Sequence, residues 1–227
     1  YDLVISISSS VAHGVITPID CTNISYINSP ARYIWDLHSM YFGKKGIFSW
    51  ITKVFSLLVG HKMRIWDVTA STRSDVLLAN SKFVSRRMKK YWKREADFVV
   101  HPPSERYVGE IIQKREQYFV AGAPFDNNKG GEFLFEYAKE IGFRLKVIGD
   151  GFLKKKFEKK YLDCKNIEFL GWVDEKQKWE TLSKASGYIM TGIEDYGIFP
   201  VESLSCGTPV LAYGYGGAVE TVKDDIN

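Results

Sequence analysis

Apolar and polar positions change period repeatedly along this chain, and each change marks an element. "DLVISIS" is a β-rich apolar run followed by small residues and Gly14. "NISYINSP" reads as a second strand, closed by Pro30. The aromatic "ARYIWDLHSMYF" opens a helix after that proline. "GIFSWITKVFSLLVG" has apolar residues at 47, 50, 51, 54, 55 and 58, one face of a helix. Phe48, Leu57 and Val59 fall off that face, so the segment is apolar nearly all round. About fourteen residues are too few to span a bilayer, which takes about 20. "SDVLLANS" is a strand, "KFVSRRMKKYWK" a basic amphipathic helix, and "DFVVHPP" a strand ended by two prolines.

Segment 102–116, with Pro102, Pro103 and many charges, reads as a linker. A new alternation follows it. "YFVAGAP", "RLKVIGDG", "NIEFLGWV", "SGYIMTGI" and "PVLAYG" are strands. Between them lie helices at "GGEFLFEYAKEIG", "FLKKKFEKKY", "DEKQKWETLSKA" and from Pro200, with a last helix from Ala218. Strand and helix alternate at short spacing, which predicts a parallel α/β architecture wound as two halves, 1–101 and 117–227. The first half opens directly on a strand and the second stops after a helix-like segment, so both halves are expected to be incomplete.

Composition narrows the class. Hydrophobic residues make up 45% and charged residues 26%, which favours a packed core over disorder. A net charge of +4 suits an anionic substrate or lipid surface but is too small to argue for nucleic acid. Cys21, Cys164 and Cys206 have no metal-ligand spacing, and an odd, scattered count fits a reducing cytosol. A cytoplasmic protein without a metal centre is expected.

The richest chemistry lies in "EDYGIFPVESLSCGTPVLAYGYGG" at 194–217. Pro200 fits the first helical position, which makes Phe199 the cap, and a phenylalanine cannot cap through its side chain. The amides around Ile198 to Val201 then lack a local acceptor, and Gly197 leads flexibly into them, so an anion site is expected there. Glu202 becomes the third helical residue, facing the same mouth, and Glu194 approaches from the preceding strand. Carboxylates repel phosphate but suit hydroxyls. A ligand with a phosphate between two polyols fits this arrangement, and a nucleotide sugar has that shape. Two solvated acids on an ordinary strand–loop–helix is the competing reading.

"EDYGIFPVESLSCGTPV" resembles the E-x7-E signature of retaining glycosyltransferases of the GT-B fold, family 4. "DVLLANSKFVSRRMKKYW", "HPP", "KVIGDG", "IEFLGWV" and "YGYGGAVETV" follow in family order, so the resemblance covers nearly the whole chain. "ISYINSPARYIWD" and "SSSVAHGV" are similar to the mannosyltransferase branch that builds bacterial surface polysaccharides. The resemblance implies two Rossmann-like domains facing a cleft, the first on the acceptor side and the second binding the nucleotide sugar. It implies metal-independent transfer of a hexose, mannose from GDP-mannose in this branch, to a saccharide or lipid-linked saccharide. It calls for no cofactor beyond the donor, and the leaving phosphate itself can take the acceptor proton.

Carried over by position, the resemblance places Glu194 on the donor sugar's hydroxyls and Glu202 on the ribose. Gly197, Ile198 and Phe199 offer amides to the diphosphate. Lys129 in "DNNKGG" neutralises the departing phosphate, as a fixed cation does where charge develops. Trp172 in "FLGWV" lies where the family holds the base, although core packing is its simpler reading. His13 is an acceptor-side or catalytic candidate set against a structural one. Asn28 and Arg32 are acceptor-side candidates, with an Arg32–Asp36 pair on one helix as the plainer account of Arg32.

Two positions depart from the family pattern. Ala123 stands near the expected second phosphate cation, an arginine, and Asn28 stands where a histidine is usual. The family's early glycine-rich loop would precede Tyr1. These departures keep open a catalytically weak binding protein, and another GT-B enzyme such as a sugar-nucleotide epimerase remains a further alternative. The segment 47–60 is open between a core helix and an exposed one resting peripherally on the inner face of a membrane, flanked by Lys44, Lys45, Lys53, His61, Lys62 and Arg64.

Overall fold

The structure, a computed structural model, describes residues 1–38, 49–122, 125 and 129–224. The chain divides into two compact units, Tyr1–Pro102 and Pro103–Asn227.

In the first unit, β1 (Leu3–Ser8), β2 (Thr22–Ile27), β3 (Val76–Ala79) and the short β4 (Phe98–Val99) form a parallel sheet in that order. Strand side chains alternate between faces, so the register decides what each face holds. Ile27 pairs with Ala79, and both are buried with Leu77 against Val84, Met88 and Trp92 of α2 (Lys82–Trp92). Ser81 caps α2 by accepting from the Val84 amide at 3.0 Å. The opposite face carries Ile7, Tyr26, Leu78 and Phe98 in one row. There Leu3, Ile5, Ile7 and Phe98 are all exposed.

Two expectations for this unit are corrected. Residues 32–36 after Pro30 form successive turns, with the Ile34 and Trp35 amides both directed at the Ala31 carbonyl; helical backbone is described only at His38, and residues 39–42 of the expected helix lie outside the described residues. The helix expected over 47–60 runs as α1 from Ser49 to Ser71. The later part of α1 carries inward-facing Asp67 and Ala70, a helical face that extends well past Gly60. Leu57 and Leu58 of α1 are exposed, so neither is core. Lys44, Lys45 and Phe48, and the side chains of Trp50 and Lys53, lie outside the described residues. Among the described residues no helix is long and apolar enough to cross a membrane.

In the second unit, β5 (Glu116–Gly122), β6 (Leu145–Ile148), β7 (Ile167–Gly171), β8 (Ala185–Met190) and β9 (Val210–Ala212) form a parallel sheet in the order β7-β6-β5-β8-β9. Helices α3 (Gly131–Ile141) and α4 (Lys154–Lys160) supply Leu134, Phe135, Ala138 and Phe157 to one cluster with Ala121 and Val147. Helices α5 (Glu175–Lys184) and α6 (Ile198–Ser205) supply Leu182 and, just past α6, Cys206 to another with Val120 and Tyr188. The helix expected from Ala218 is only a 3-10 turn, Ala218–Glu220. Residues 103–115 hold no strand or helix, but they are tied to this unit. Arg115 donates to the Ser183 carbonyl at 2.8 Å, to Thr208 Oγ1 at 2.7 Å and to the Gly207 carbonyl at 2.8 Å.

Strand order reverses between β5 and β8. From β5 the chain winds outward through β6 and β7, and from β8 it winds the other way to β9. Such a switch point opens a crevice at the carboxyl ends of the two strands.

Candidate active site

The crevice beyond β5 and β8 is built from close backbone approaches. The Gly122 amide donates to the Tyr188 hydroxyl at 3.2 Å, and the Tyr188 ring stacks on Phe199 at 5.9 Å. A Cβ on Gly122 would lie 2.7 Å from that hydroxyl, so only glycine fits without a shift. Burial pushes the Tyr188 phenol far above its ordinary value, so the ring is a neutral floor and not an acid. Thr191 Oγ1, just past β8, donates to the Lys129 carbonyl at 2.9 Å. A Cβ on the neighbouring Gly192 would come 2.8 Å from the Lys129 Cα. Residues 191–192 therefore fix the backbone that carries Lys129.

On that support, Lys129 Nζ lies 3.1 Å from Glu194 Oε1, with both side chains about three-tenths exposed (28% and 30%). A small pocket lined by Gly122, Lys129, Thr191, Gly192 and Glu194 opens beside the pair. The backbone of Glu194 is held from the other side, where its carbonyl accepts from the Gly217 amide at 2.8 Å. Gly216 has φ +98°, and a Cβ there would lie 2.7 Å from the same carbonyl. The Gly216–Gly217 pair thus sets the loop that presents Glu194.

Helix α6 begins two residues earlier than the sequence suggests. Gly197, at φ +91°, precedes the first helical residue, Ile198, and no side chain caps the helix. Pro200 is the third helical residue, where an absent N–H still costs nothing, because first-turn amides have no partner within the helix. Phe199 lies inside the first turn, and Glu202 is the fifth helical residue rather than the third. Glu202 is only 5% exposed, and its Oε1 accepts from Lys178 Nζ at 2.8 Å.

The acceptor-side expectations, His13, Asn28 and Arg32, belong to the first unit. His13 is 0% exposed and stacks on Trp92 at 4.8 Å. Its Nδ1 lies 3.2 Å from Ser8 Oγ, and its Nε2 lies 3.3 Å from Asp67 Oδ1. A ring with no open surface cannot touch an acceptor, so the catalytic expectation for His13 is corrected to a structural one. Asp67 is the hub of this cluster and accepts from Trp35 Nε1 at 2.7 Å and Trp92 Nε1 at 2.5 Å. Asn28, at the end of β2, is half-buried, reaches Ser9 Oγ at 3.4 Å and accepts from Asn80 at its carbonyl. Arg32 lies 3.8 Å from Asp36, which sits closer, at 3.1 Å, to Arg87. The Arg32–Asp36 spacing occurs across turns, not along the helix that suggested it.

Ala123 lies outside the described residues. Trp172 is 79% exposed just beyond β7, so its expected core packing is corrected too. Sequence reading missed Lys178, which "DEKQKWETL" offers only as one charge among many on a helix. It also missed Thr191 and Gly192, for which only the small residues of "MTGI" gave a signal.

Comparison with known proteins bears on the family and the fold. The family model described as glycosyl transferases group 1 matches residues 108–227. An uncharacterized glycosyltransferase of Methanocaldococcus jannaschii is 30% identical over 172 residues, 73% of this chain and 48% of that protein. A GDP-mannose-dependent monoacylated alpha-(1-6)-phosphatidylinositol monomannoside mannosyltransferase of Corynebacterium glutamicum is 24% identical, with 74% of this chain and 51% of that one covered. The chain spans about half the length of the curated relatives it matches. Among solved structures, TarM aligns with a TM-score of 0.69 at 14% identity, covering 98% of this chain and 43% of its own. Anabaena HepE in complex with UDP-glucose aligns at 0.58 and 15% identity, covering 92% and 71%. These two likenesses show the fold, which is the α/β GT-B type.

Proposed function

The chain belongs to the glycosyl transferases group 1 family, and from that premise we propose that the protein transfers a hexose from a nucleotide sugar to a saccharide acceptor. The proposed course retains the anomeric configuration and needs no metal. The observation that carries it is the Lys129–Glu194 pair at the β5/β8 switch point, with Glu194 on the chain segment that leads into the uncapped start of α6. Lys129 and the amides of Ile198 and Phe199 take the diphosphate, the usual ligand of a bare helix amino end. Glu194 takes the sugar's hydroxyls and Glu202 those of the ribose. As the bond from the anomeric carbon to the phosphate oxygen breaks, its electron pair stays on the phosphate beside Lys129. The acceptor oxygen bonds to that carbon on the same face and passes its proton to the departing phosphate oxygen.

The finer reading is mannose from GDP-mannose. Its support is the "ISYINSPARYIWD" resemblance and likeness to a GDP-mannose-dependent enzyme. A screen of GDP and UDP sugars on the full-length protein, with a panel of saccharide acceptors, tests it. Release of mannose from GDP-mannose, dependent on acceptor, is expected. Nucleotide binding without release on any acceptor favours a binding-only relative.

A lipid-linked acceptor, met at the inner face of a membrane, suits the exposed side of α1. Leu57, Leu58 and Ile65 are exposed there, beside exposed His61 and Lys62. Vesicle co-sedimentation should fall with salt and with Leu57→Ser/Leu58→Ser. Equal pelleting of that variant removes α1 from the contact.

A further inference from the structure

We infer that Lys178 is a positioning residue for donor recognition: it holds the Glu202 carboxylate in the orientation that meets the nucleotide's ribose hydroxyls. The inference rests on the reading that Glu202 takes the ribose.

Burying a carboxylate as deeply as Glu202, with its side chain 7% exposed, is costly without a partner. Lys178, on the neighbouring helix α5, is that partner at 2.8 Å. The ammonium is itself fixed on several sides. It lies 3.0 Å from Glu175, 3.7 Å from Glu105 and 4.6 Å from the centre of the Trp179 ring. Burial works to lower the Lys178 pKa, but hydrogen bonds to Glu202 and Glu175 raise it further, so the ammonium stays charged.

An ammonium has three donors and no acceptor. With Glu202, Glu175 and Glu105 around it, Lys178 is not free to swing towards a phosphate, so it acts through Glu202 and not on the ligand. Its bond occupies Oε1 of Glu202, while Oε2 carries no hydrogen bond among the described residues. A carboxylate pinned by one oxygen presents the other in a set direction, as recognition of a hydroxyl requires. Glu105 and Glu175 have a second consequence. They surround the ammonium with more negative charge than it can neutralise, which disfavours a phosphate at this end of the site and leaves it to a neutral polyol.

The test is calorimetric titration of the full-length protein with GDP and UDP, and then with the 2′-deoxy form of whichever binds. Lys178→Met should weaken the ribonucleotide roughly tenfold and the deoxynucleotide much less, so that discrimination between them collapses. Lys178→Arg, which keeps the charge and the bond, should preserve the discrimination. Equal losses for the two nucleotides in Lys178→Met, or an unchanged ratio, overturn the inference. If Lys178→Met does not fold, Lys178→Gln gives the same comparison. Failure of the underlying reading shows separately: Glu202→Gln then leaves the discrimination intact in a protein whose Lys178 is untouched.

Discussion

Both units bury polar side chains beside a parallel sheet, but they use them differently. In the first unit, Asp67, His13, Ser8 and Asn23 are all 1% exposed or less, and their contacts run to one another, to two indoles and to the backbone. In the second unit, the polar groups at the β5/β8 crevice keep an open side, as Lys129 and Glu194 do. Their rigidity comes instead from glycines and from a neutral aromatic floor. The sheets differ in the same sense. The second is covered by apolar clusters on both faces, whereas Leu3, Ile5, Ile7 and Phe98 of the first stand exposed on one face. A polar residue near a strand end is therefore no sign of a site by itself. What marks a site is convergence at the switch point with solvent still reaching the groups.

The largest effect should come from breaking the polar hub of the first unit. Asp67→Ala strands two indole N–H donors and an imidazole in the interior, a loss of about 3–5 kcal/mol of stability. Urea unfolding should show it, with nucleotide affinity in the folded protein unchanged. Loss of affinity in proportion to stability would erase the contrast between the units. Lys129→Ala should do the reverse. It removes a charge-assisted contact of about 1.5–3 kcal/mol, roughly a ten- to hundred-fold loss of nucleotide affinity. Its effect on unfolding should stay below about 1 kcal/mol, since the ion pair it breaks is part-exposed.

The alternation of strands and helices in the second unit was legible because most of its borders carry a glycine or proline, as at Gly130, Gly142, Gly149, Gly171, Gly192, Gly197 and Pro209. The first unit was harder to read. After Pro30 the aromatic spacing suits a helix, but Trp35 is drawn to Asp67 and Arg87 to Ser29 and Asp36, and the chain turns instead. Those contacts lie tens of residues apart in sequence, where local pattern carries no information. His13 failed for the same reason, since its burial is set by Asp67 and Trp92. In the second unit the E-x7-E spacing singled out Glu194 and Glu202 as candidates, and the glycine before Ile198 marked the turn into α6. The Lys178 contact stayed hidden because a lysine on a charged helix looks the same whether it faces solvent or a buried acid. Only the packing of α5 beside α6 distinguishes the two.

Smaller effects sharpen the contrast. Gly192→Ala places a methyl group 2.8 Å from the Lys129 Cα, so the backbone beneath Lys129 must shift. A cost of about 1 kcal/mol, read as a several-fold loss of nucleotide affinity by titration, is expected. The smallest effect concerns surface charge. Lys160 bridges Glu132 and Glu136, and its hydrogen bonds hold both carboxyls below their ordinary value of 4.5. A carboxyl lowered on folding stabilises the protein above its unfolded pKa, and that stabilisation is lost as pH falls through the folded one. Melting temperatures measured at and below about pH 4.5 should therefore fall less in Lys160→Met than in the parent, with no change in nucleotide binding.

The proposed division of labour between Glu194 at the crevice and Glu202 on α6 is the central claim, and one paired measurement tests it most directly. Nucleoside diphosphate affinity and turnover of the donor sugar are compared in Glu202→Ala and Glu194→Ala of the full-length protein. Glu202→Ala should weaken the nucleotide itself, because its carboxylate serves the ribose. Glu194→Ala should leave nucleotide affinity unchanged or raise it, since Lys129 is released from their 3.1 Å pair, while donor turnover falls. If the two variants lose nucleotide affinity and turnover alike, the assignment of one acid to the nucleotide and the other to the sugar is contradicted.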